Sequence, residues 1–349
     1  MVARAAKEGT QPTIGDVAQA AGVSTATVSR VLNEHASVAT ALRLRVDAAV
    51  AALGYVPNAG ARAMKLQRSG TVGAIFPTVD NAIFAKAIDA LQRRLAASGR
   101  QLLIATSGYD PDMEARQAMN LVTRGADALA LCGVGQSPAL RRLLRRRELP
   151  VVHVMSWPGP ADMVCVGFDN SKAIAQGVRY LLDLGHRRIG MLAGVTAHND
   201  RAAARVAGVR AALALAGLAL EPGLLVERPY ELGEASEGLR SLMSTVPPPT
   251  AVVCGNDVLA MGALLEAQRL GLAVPGELSV IGFDDLELAR HLVPPLTTLH
   301  VPTEAMWITA AERLIDALER RPVPAATEVQ VELIVRGSTG PVRQGRDRG

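Results

Sequence analysis

Aromatic residues are scarce in this 349-residue chain: four Phe, four Tyr and two Trp, 3% in all, against a hydrophobic content of 49%. The core must therefore be built mostly from aliphatic side chains and Ala, which suits α/β layers with Val, Ile and Leu in buried strands. Cysteine is scarcer still, with Cys132, Cys165 and Cys254 far apart in apolar, strand-like runs. An odd number without CxxC spacing argues against a disulfide framework or a zinc site, and reduced thiols in a cytoplasmic protein follow. No apolar run reaches the length of a membrane span, and the opening MVARAAKEGTQ has no apolar h-region, so neither a membrane segment nor a secretory signal is expected. Enzyme signatures are missing too. There is no G-x-G-x-x-G after a strand, no P-loop and no G-x-S-x-G. His35, His153, His186, His198, His291 and His300 do not stand at metal-ligand spacing, and the pair Asp284-Asp285 has no evident partner base. No cofactor and no metal is expected.

The net charge is only +4, but all of it lies in the first seventy residues. There Arg4, Lys7, Arg30, Arg43, Arg45, Arg62, Lys65 and Arg68 face Glu8, Asp16, Glu34 and Asp47, and the rest of the chain sums to zero. A basic head on a neutral body is the layout of a polyanion-binding module attached to something else. Within that head, TIGDVAQAAGVSTATVSRVLN (13–33) holds two short helical patterns joined by a tight turn. Ile14, Val17, Ala18 and Ala21 form one face of the first. Thr13 and Asp16 have the spacing of a capping box, with Asp in the acidic place. Gly22 tolerates the left-handed turn that stops the helix, and Ser24 can cap the second. Val23, Val28 and Leu32 can pack back, leaving Thr25, Ala26, Thr27, Ser29, Arg30 and Asn33 as a small, polar outer face. This is the pattern of a helix-turn-helix, whose second helix enters the major groove of DNA. A third helical pattern, 39–53, carries Leu42, Val46, Ala49, Val50 and Leu53 on one stripe and ends at Gly54.

From Thr71 the pattern changes to strand–helix alternation. Strand-like runs fall at 71–76, 102–106, 128–132, 151–154, 163–166, 189–193, 224–227, 251–254, 279–283 and 329–335. Helical stretches lie at 83–97, 112–123, 138–147, 171–184, 202–216, 233–244, 257–270 and 303–319. Such alternation gives parallel sheets with helices on both faces. There are too many strands for one sheet, so two doubly wound lobes are expected, with a ligand site at the carboxyl ends of strands in the cleft between them.

In IGDVAQAAGVSTATVSRVLN (14–33), AALGYVPNAGARAMK (51–65), LLDLGHRRIGMLAG (181–194), TAVVCGNDVLAMGALLEAQRLGLAVPGELSVIGFDD (250–285) and PPLTTLHVP (294–302) the chain resembles the LacI family of bacterial transcription regulators. The segments cover nearly the whole chain in the family's order, and the body is similar to periplasmic sugar-binding proteins. The resemblance implies an all-α helix-turn-helix domain at 1–56 and a hinge helix and linker at 57–69. A two-lobed effector-binding and dimerisation domain follows at 70–340, with lobe 1 at about 70–165 plus a C-terminal return and lobe 2 at about 166–290; 341–349 is a polar tail.

It further implies a repressor that binds a pseudo-palindromic operator as a homodimer, controlled by a small molecule, a sugar or sugar acid, with no membrane partner. Thr25, Ala26 and Arg30 match positions of base readout, and Arg30 can reach a guanine bidentately. Thr27, Ser29 and Asn33 suit phosphate contact or capping. At the hinge, Met64 stands where relatives usually carry a Leu that wedges into the minor groove, between the phosphate-seeking Arg62 and Lys65. Effector positions are matched by Phe84, Arg205, Asn256 and Asp284, and less closely by Ile83, Asp169 and Tyr230. Arg205 could clamp a carboxylate or phosphate or take sugar hydroxyls, and Asp284 could accept two hydroxyls. Asn256 and Asp169 could equally cap the helices they precede, and Phe84 could equally be core. Where some relatives carry an effector-binding Asp, this chain has Met155-Ser156-Trp157, with Trp157 a candidate stacking platform. The C-terminal STGPVRQGRDRG has no a/d repeat, which favours a dimer over a tetramer. The competing classes are a soluble small-molecule binding protein and an α/β enzyme without operator binding.

Overall fold

A computed structural model describes residues 11–32, 38–56 and 68–342 of the chain. The chain divides into two compact units, one ending at Ser69 and one beginning at Gly70. Asn33, Arg62, Met64 and Lys65 lie outside the described residues.

The first unit contains α1 (Ile14–Ala21), α2 (Thr25–Leu32) and α3 (Thr40–Leu53). Thr13 and Asp16 form the full capping box: the Asp16 N–H donates to Thr13 Oγ1 at 3.3 Å and the Thr13 N–H donates to Asp16 Oδ2 at 2.8 Å. Gly22 is left-handed at φ 61°, and Ser24 Oγ accepts the Thr27 N–H at 3.1 Å, starting α2. Val17, Ala18, Ala21, Val28, Val31, Val46 and Ala49 are the buried core, with Ile14, Val23, Leu32, Val50, Leu53 and Tyr55 packed around it. Val31 is the one buried member of α2 that the periodicity did not single out. Arg45 on α3 reaches across to donate to the carbonyls of Ala21 and Gly22, so the third helix satisfies the open end of the first.

The second unit has two six-stranded sheets. Its strands are β1 (Thr71–Phe76), β2 (Gln101–Thr106), β3 (Ala128–Cys132), β4 (Val151–Val154), β5 (Val164–Gly167), β6 (Ile189–Gly194), β7 (Leu225–Arg228), β8 (Ala251–Cys254), β9 (Ser279–Asp284), β10 (Thr297–His300), β11 (Ala326–Glu328) and β12 (Glu332–Ile334). Its helices are α4 (Ala82–Ala96), α5 (Pro111–Thr123), α6 (Pro138–Arg147), α7 (Asn170–Asp183), α8 (Asp200–Leu215), α9 (Leu232–Met243), α10 (Asp257–Arg269) and α11 (Thr303–Leu318). The first sheet runs β11-β5-β4-β3-β1-β2, all parallel; the second runs β12-β10-β9-β8-β6-β7, parallel except for the β10–β12 pair. Central strands β3, β6, β8 and β9 are buried along their whole length, as strands covered on both faces must be.

Two strand assignments differ from the sequence reading. The run 329–335 holds only β12, which joins the second sheet beside β10; the residues just before it, 326–328, form β11 beside β5 in the first sheet. β10 itself was missed, because its short Thr-rich run carries hydroxyls where a buried strand would show aliphatics. Those hydroxyls are satisfied internally. Thr298 donates to Asp257 at 2.6 Å, and Thr297 Oγ1 lies 2.9 Å from Thr339 Oγ1. The chain therefore crosses between sheets three times: after β5, between β10 and α11, and between β11 and β12. These crossings and the strand ends that flank them position the site described next.

Candidate functional site

On α2, Thr25, Ala26 and Arg30 are exposed, and Thr27 and Ser29 are half-buried. The Thr27 hydroxyl lies 3.0 Å from Ser24 Oγ, so it belongs to the helix start. Arg30 is the only long polar side chain of TATVSRVL, and it stands on the exposed face.

In the body, the turns at the carboxyl ends of strands carry polar caps. Asn81 caps α4 after β1, Asp110 caps α5 after β2, Asn199 caps α8 after β6 and Asn256 caps α10 after β8. The same short polar residues that start the helices thus gather at one end of both sheets. There, Asn81, Ile83, Phe84, Tyr109, Met155, Asn199, Arg201, Arg205, Tyr230, Asn256 and Asp284 line one chamber of ≈ 20 Å³, opening to a larger hollow of ≈ 760 Å³ edged by Tyr109, Asn199, Tyr230 and Leu286.

Arg205 is buried on α8 with 5% exposure. Gly208, one turn further, lets α8 press onto α7; a Cβ there would sit 2.3 Å from the Ser171 carbonyl oxygen. That close approach brings Asn170 beside Arg205, whose Nε donates to Asn170 Oδ1 at 3.0 Å. Arg205 Nη1 donates to the Gly255 carbonyl at 2.6 Å, and the guanidinium lies 4.0 Å from the centre of the Phe283 ring. Opposite, Asp284 ends β9 with a left-handed backbone, φ 113°, followed by Asp285 at 56°. The turn is held from both sides. Asp257 accepts the Leu286 N–H at 2.7 Å and the Thr298 hydroxyl, while Asp285 accepts from Arg336 at 2.6 Å and pairs with His300 at 3.0 Å. Among the described residues no group hydrogen-bonds the Asp284 carboxyl. Burial pushes its pKa up to about 8, against the opposing pull of Arg205 and with the help of Asp257. Burial likewise raises Asp257 to about 7, against its hydrogen bonds from Thr298 and Leu286.

Lobe 2 grips lobe 1 through Asp200. Its Oδ2 accepts the Val134 N–H at 2.9 Å and the Ser156 hydroxyl at 3.1 Å, while its Oδ1 pairs with Arg201 at 3.0 Å. Gly133, left-handed at φ 76°, makes room: a Cβ there would lie 2.2 Å from Arg201 Nη1 and 2.3 Å from Asp200 Oδ1. Asn170 adds a second bridge, donating to the Met155 carbonyl at 2.9 Å. Tyr109 of lobe 1 and Tyr230 of lobe 2 face each other with ring centres 6.2 Å apart. Tyr230 fits only because Gly194 lacks a side chain; a Cβ there would be 2.1 Å from the phenol.

Of the residues singled out from sequence, Ile83, Phe84, Arg205, Tyr230, Asn256 and Asp284 share this chamber. Phe84 is also core, edge-on to Phe76 at 5.9 Å, and Asn256 also caps α10 through the Leu259 N–H at 2.9 Å. Two do not join them. Asp169 accepts the N–H groups of Ser171 and Lys172, both at 3.0 Å, and is a helix cap; its neighbour Asn170 is the one that meets Arg205. Trp157 sits under Lys172 Nζ at 5.9 Å and lines neither chamber, because Met155 is left-handed at φ 74° and turns Met155, not Trp157, into the cleft. Sequence reasoning assigned no role to Asp200 or Arg201, and it passed over Tyr109 and Asn170. The caps that follow strand ends were the available signal.

A helix-turn-helix unit and, in the same chain, a two-lobed body with a buried Arg and carboxyl in its cleft define a DNA-binding regulator with a small-molecule site. The comparisons agree. Residues 13–58 match the model for bacterial regulatory proteins of the lacI family, and residues 178–339 match a periplasmic binding protein-like domain. The chain is 34% identical over 340 residues, 96% of its own length and 99% of the relative's, to the HTH-type transcriptional repressor PurR of Escherichia coli. A transcriptional regulator of this family from Silicibacter pomeroyi superposes with TM-score 0.85 at 27% identity, covering 94% of this chain and 99% of that one. The regulator CelR, solved as a cellobiose complex, superposes with TM-score 0.69 at 28% identity over 94% and 99% of the two chains. The chain belongs to the LacI family. It is a DNA-binding transcription repressor of the LacI and PurR type, and these relatives are regulators rather than enzymes.

Proposed function

We propose that this repressor binds a pseudo-palindromic operator as a homodimer in the cytoplasm, and that a sugar or sugar acid in the inter-lobe cleft shifts its affinity for DNA. Arg30 reads a base, Thr25 and Ala26 add short contacts, and Thr27, Ser29 and Asn33 serve position; Arg62, Met64 and Lys65 form a hinge whose Met64 wedges the minor groove. The head is taken as 1–56, the hinge and linker as 57–69 and the effector body as 70–340. Helix-turn-helix dimers read paired half-sites, and the body exposes the large apolar side chains Ile104 on edge strand β2 and Leu265 on α10, which suits a second copy. The ligand class rests on one observation above the others: a buried Arg205, pre-oriented by Asn170 and Gly255, opposite an Asp284 carboxyl that no group among the described residues hydrogen-bonds. Burial pushes the Asp284 pKa up to about 8, so near neutral pH its carboxyl can offer a donor as well as an acceptor, a match for vicinal hydroxyls. The cellobiose bound by the related CelR supports the same class.

Closure of the lobes on the ligand alters the spacing of the two hinges in the dimer, and coupling of this kind is typically about 1–3 kcal/mol and reciprocal. The test is a footprint of the purified protein on genomic DNA fragments upstream of its own gene, with and without sugars and sugar acids. A protected pseudo-palindrome whose occupancy changes with one of these ligands is expected. No sequence-specific protection under any ligand condition would overturn the reading, and protection that no sugar or sugar acid alters would overturn the ligand class alone.

A further inference from the structure

The chamber that holds Arg205 and Asp284 is not the end of the cleft. Tyr109 and Arg201 are shared with a second, inner chamber of ≈ 30 Å³ that continues into lobe 1, where Glu114 of α5 and Gln136 of the loop after β3 complete it. Gln136 is 4% exposed, and its orientation is set: Nε2 donates to the Gly133 carbonyl at 3.1 Å, so the amide cannot be reversed without pointing oxygen at oxygen. Its Oε1 is left buried with no donor among the described residues. An unpaired buried acceptor is costly, so such a group signals either a ligand or a resident water. Glu114 lines the same chamber, and burial pushes its carboxyl up to about 7 in spite of Gln136 and Arg201, so near neutral pH it can act as either donor or acceptor. Arg201, whose side chain is 7% exposed and braced by Asp200, presents a guanidinium to both chambers. The volume corresponds to about two water-sized groups, which admits hydroxyls and excludes a ring.

We infer that the inner chamber is a second ligand subsite, in which Gln136, Glu114 and Arg201 bind the terminal hydroxyls of an extended polyhydroxy ligand whose other end lies against Arg205 and Asp284. This rests on the ligand class proposed above and deepens it: a hydroxymethyl or diol end, two subsites apart from the Arg205 end, is what the cleft selects. A compact ligand that fills only the outer chamber leaves Gln136 Oε1 unpaired and forfeits that part of the affinity.

Calorimetric titration of the full-length protein with D-glucose, D-sorbitol, D-gluconate, the four-carbon erythritol and threonate, and adenine as a hydroxyl-free ring tests this. At least one six-carbon polyhydroxy probe is expected to bind, and its four-carbon counterpart to bind at least tenfold more weakly. Gln136→Met and Glu114→Met are each expected to weaken the six-carbon probe at least tenfold while leaving the four-carbon probe within threefold. Gln136→Met also gives up the Nε2 bond to the Gly133 carbonyl, so, should it fail to fold, Glu114→Met decides alone. If both variants bind the six-carbon probe like the wild type while Arg205→Ala does not bind it, the inner chamber holds water only, and the inference fails with the outer site intact. If no polyhydroxy probe binds the wild type, or adenine alone does, the inference and the ligand class beneath it fail together.

Discussion

Asp200→Ala should open the body. The carboxylate makes two hydrogen bonds across the cleft, to the Val134 N–H at 2.9 Å and the Ser156 hydroxyl at 3.1 Å. Hydrogen bonds to a charged group contribute about 1.5–3 kcal/mol each. The Asp200 side chain is 24% exposed, which places these two at the lower end, about 3 kcal/mol together. That sum shifts the closed-to-open ratio by roughly a factor of 100. Arg201, whose buried guanidinium loses its ion pair with Asp200, pushes in the same direction. The distance between spin labels at Arg146→Cys on α6 and Arg210→Cys on α8 reads the population directly; both positions are exposed, and the three native thiols are buried. One closed distance is expected in the parent, and a second, longer one holding a substantial share in Asp200→Ala. Gly133→Ala reaches the same interface from the other lobe, since its new Cβ would overlap Asp200 and Arg201. Asp200→Asn keeps one acceptor and should fall between. Distance distributions that superimpose in all four proteins would refute the view that Asp200 latches the lobes.

Three further outcomes follow from the same geometry. Arg30→Ala should weaken operator binding by about 1–3 kcal/mol in a gel-shift titration while changing binding to unrelated DNA much less; equal losses would make Arg30 a phosphate contact. Asp284→Asn should change the pH dependence of stability. A carboxyl whose folded pKa is raised from about 4 to about 8 contributes stability at low pH that is lost as pH rises toward 8, at up to roughly 1.4 kcal/mol per pH unit. Asn does not titrate, so urea midpoints of the variant should gain on the wild type between pH 5 and 8, and parallel curves would count against a neutral buried acid. Thr13→Ala removes the side-chain half of the capping box and should cost the head about 1 kcal/mol, read in calorimetry as a lower transition for the first unit alone.

What was legible in the sequence was local. The head follows from contacts three or four residues apart: the Thr13–Asp16 box, the left-handed Gly22 and the apolar stripes of α1 and α2. The alternation of short apolar runs with capped helices likewise located ten of the strand regions. Where the determining contact is distant, pattern reading stopped. β10 is a strand because β9 and β12 flank it and because Asp257, Thr339 and Arg336 satisfy its threonines, none of which its own four residues announce. The two three-residue strands at 326–328 and 332–334 belong to different sheets, and only the crossing between them reveals it. In the cleft, family resemblance supplied Arg205 and Asp284. It could not supply Asp200, whose partner Ser156 is 44 residues away, nor Gln136, whose interest lies in a bond it does not make. Trp157 shows the converse: position in a motif does not say which way the left-handed backbone at Met155 turns the side chain; Asp169 took the helix-cap role that its position also allowed.

The scarcity of aromatic residues has a consequence for the chemistry of the cleft. All four Phe fall into ring pairs near the ends of strands: Phe76 with Phe84 and Trp307, and Phe168 with Phe283. The two residues of the last pair stand where the chain leaves β5 for the second sheet and where β9 delivers Asp284. One of these rings, Phe283, lies against a buried cation. Phe283 carries the Arg205 guanidinium on its face, and its neighbour Asp284 is kept from water. A ring face of this sort attracts a guanidinium through the negative quadrupole of its π cloud while offering no hydrogen bond to a carboxyl. Arg205 is therefore held in place, whereas burial raises the Asp284 pKa and leaves its carboxyl short of partners among the described residues. The asymmetry gives the outer chamber a fixed guanidinium facing a buried carboxyl that has no hydrogen-bond partner among the described residues.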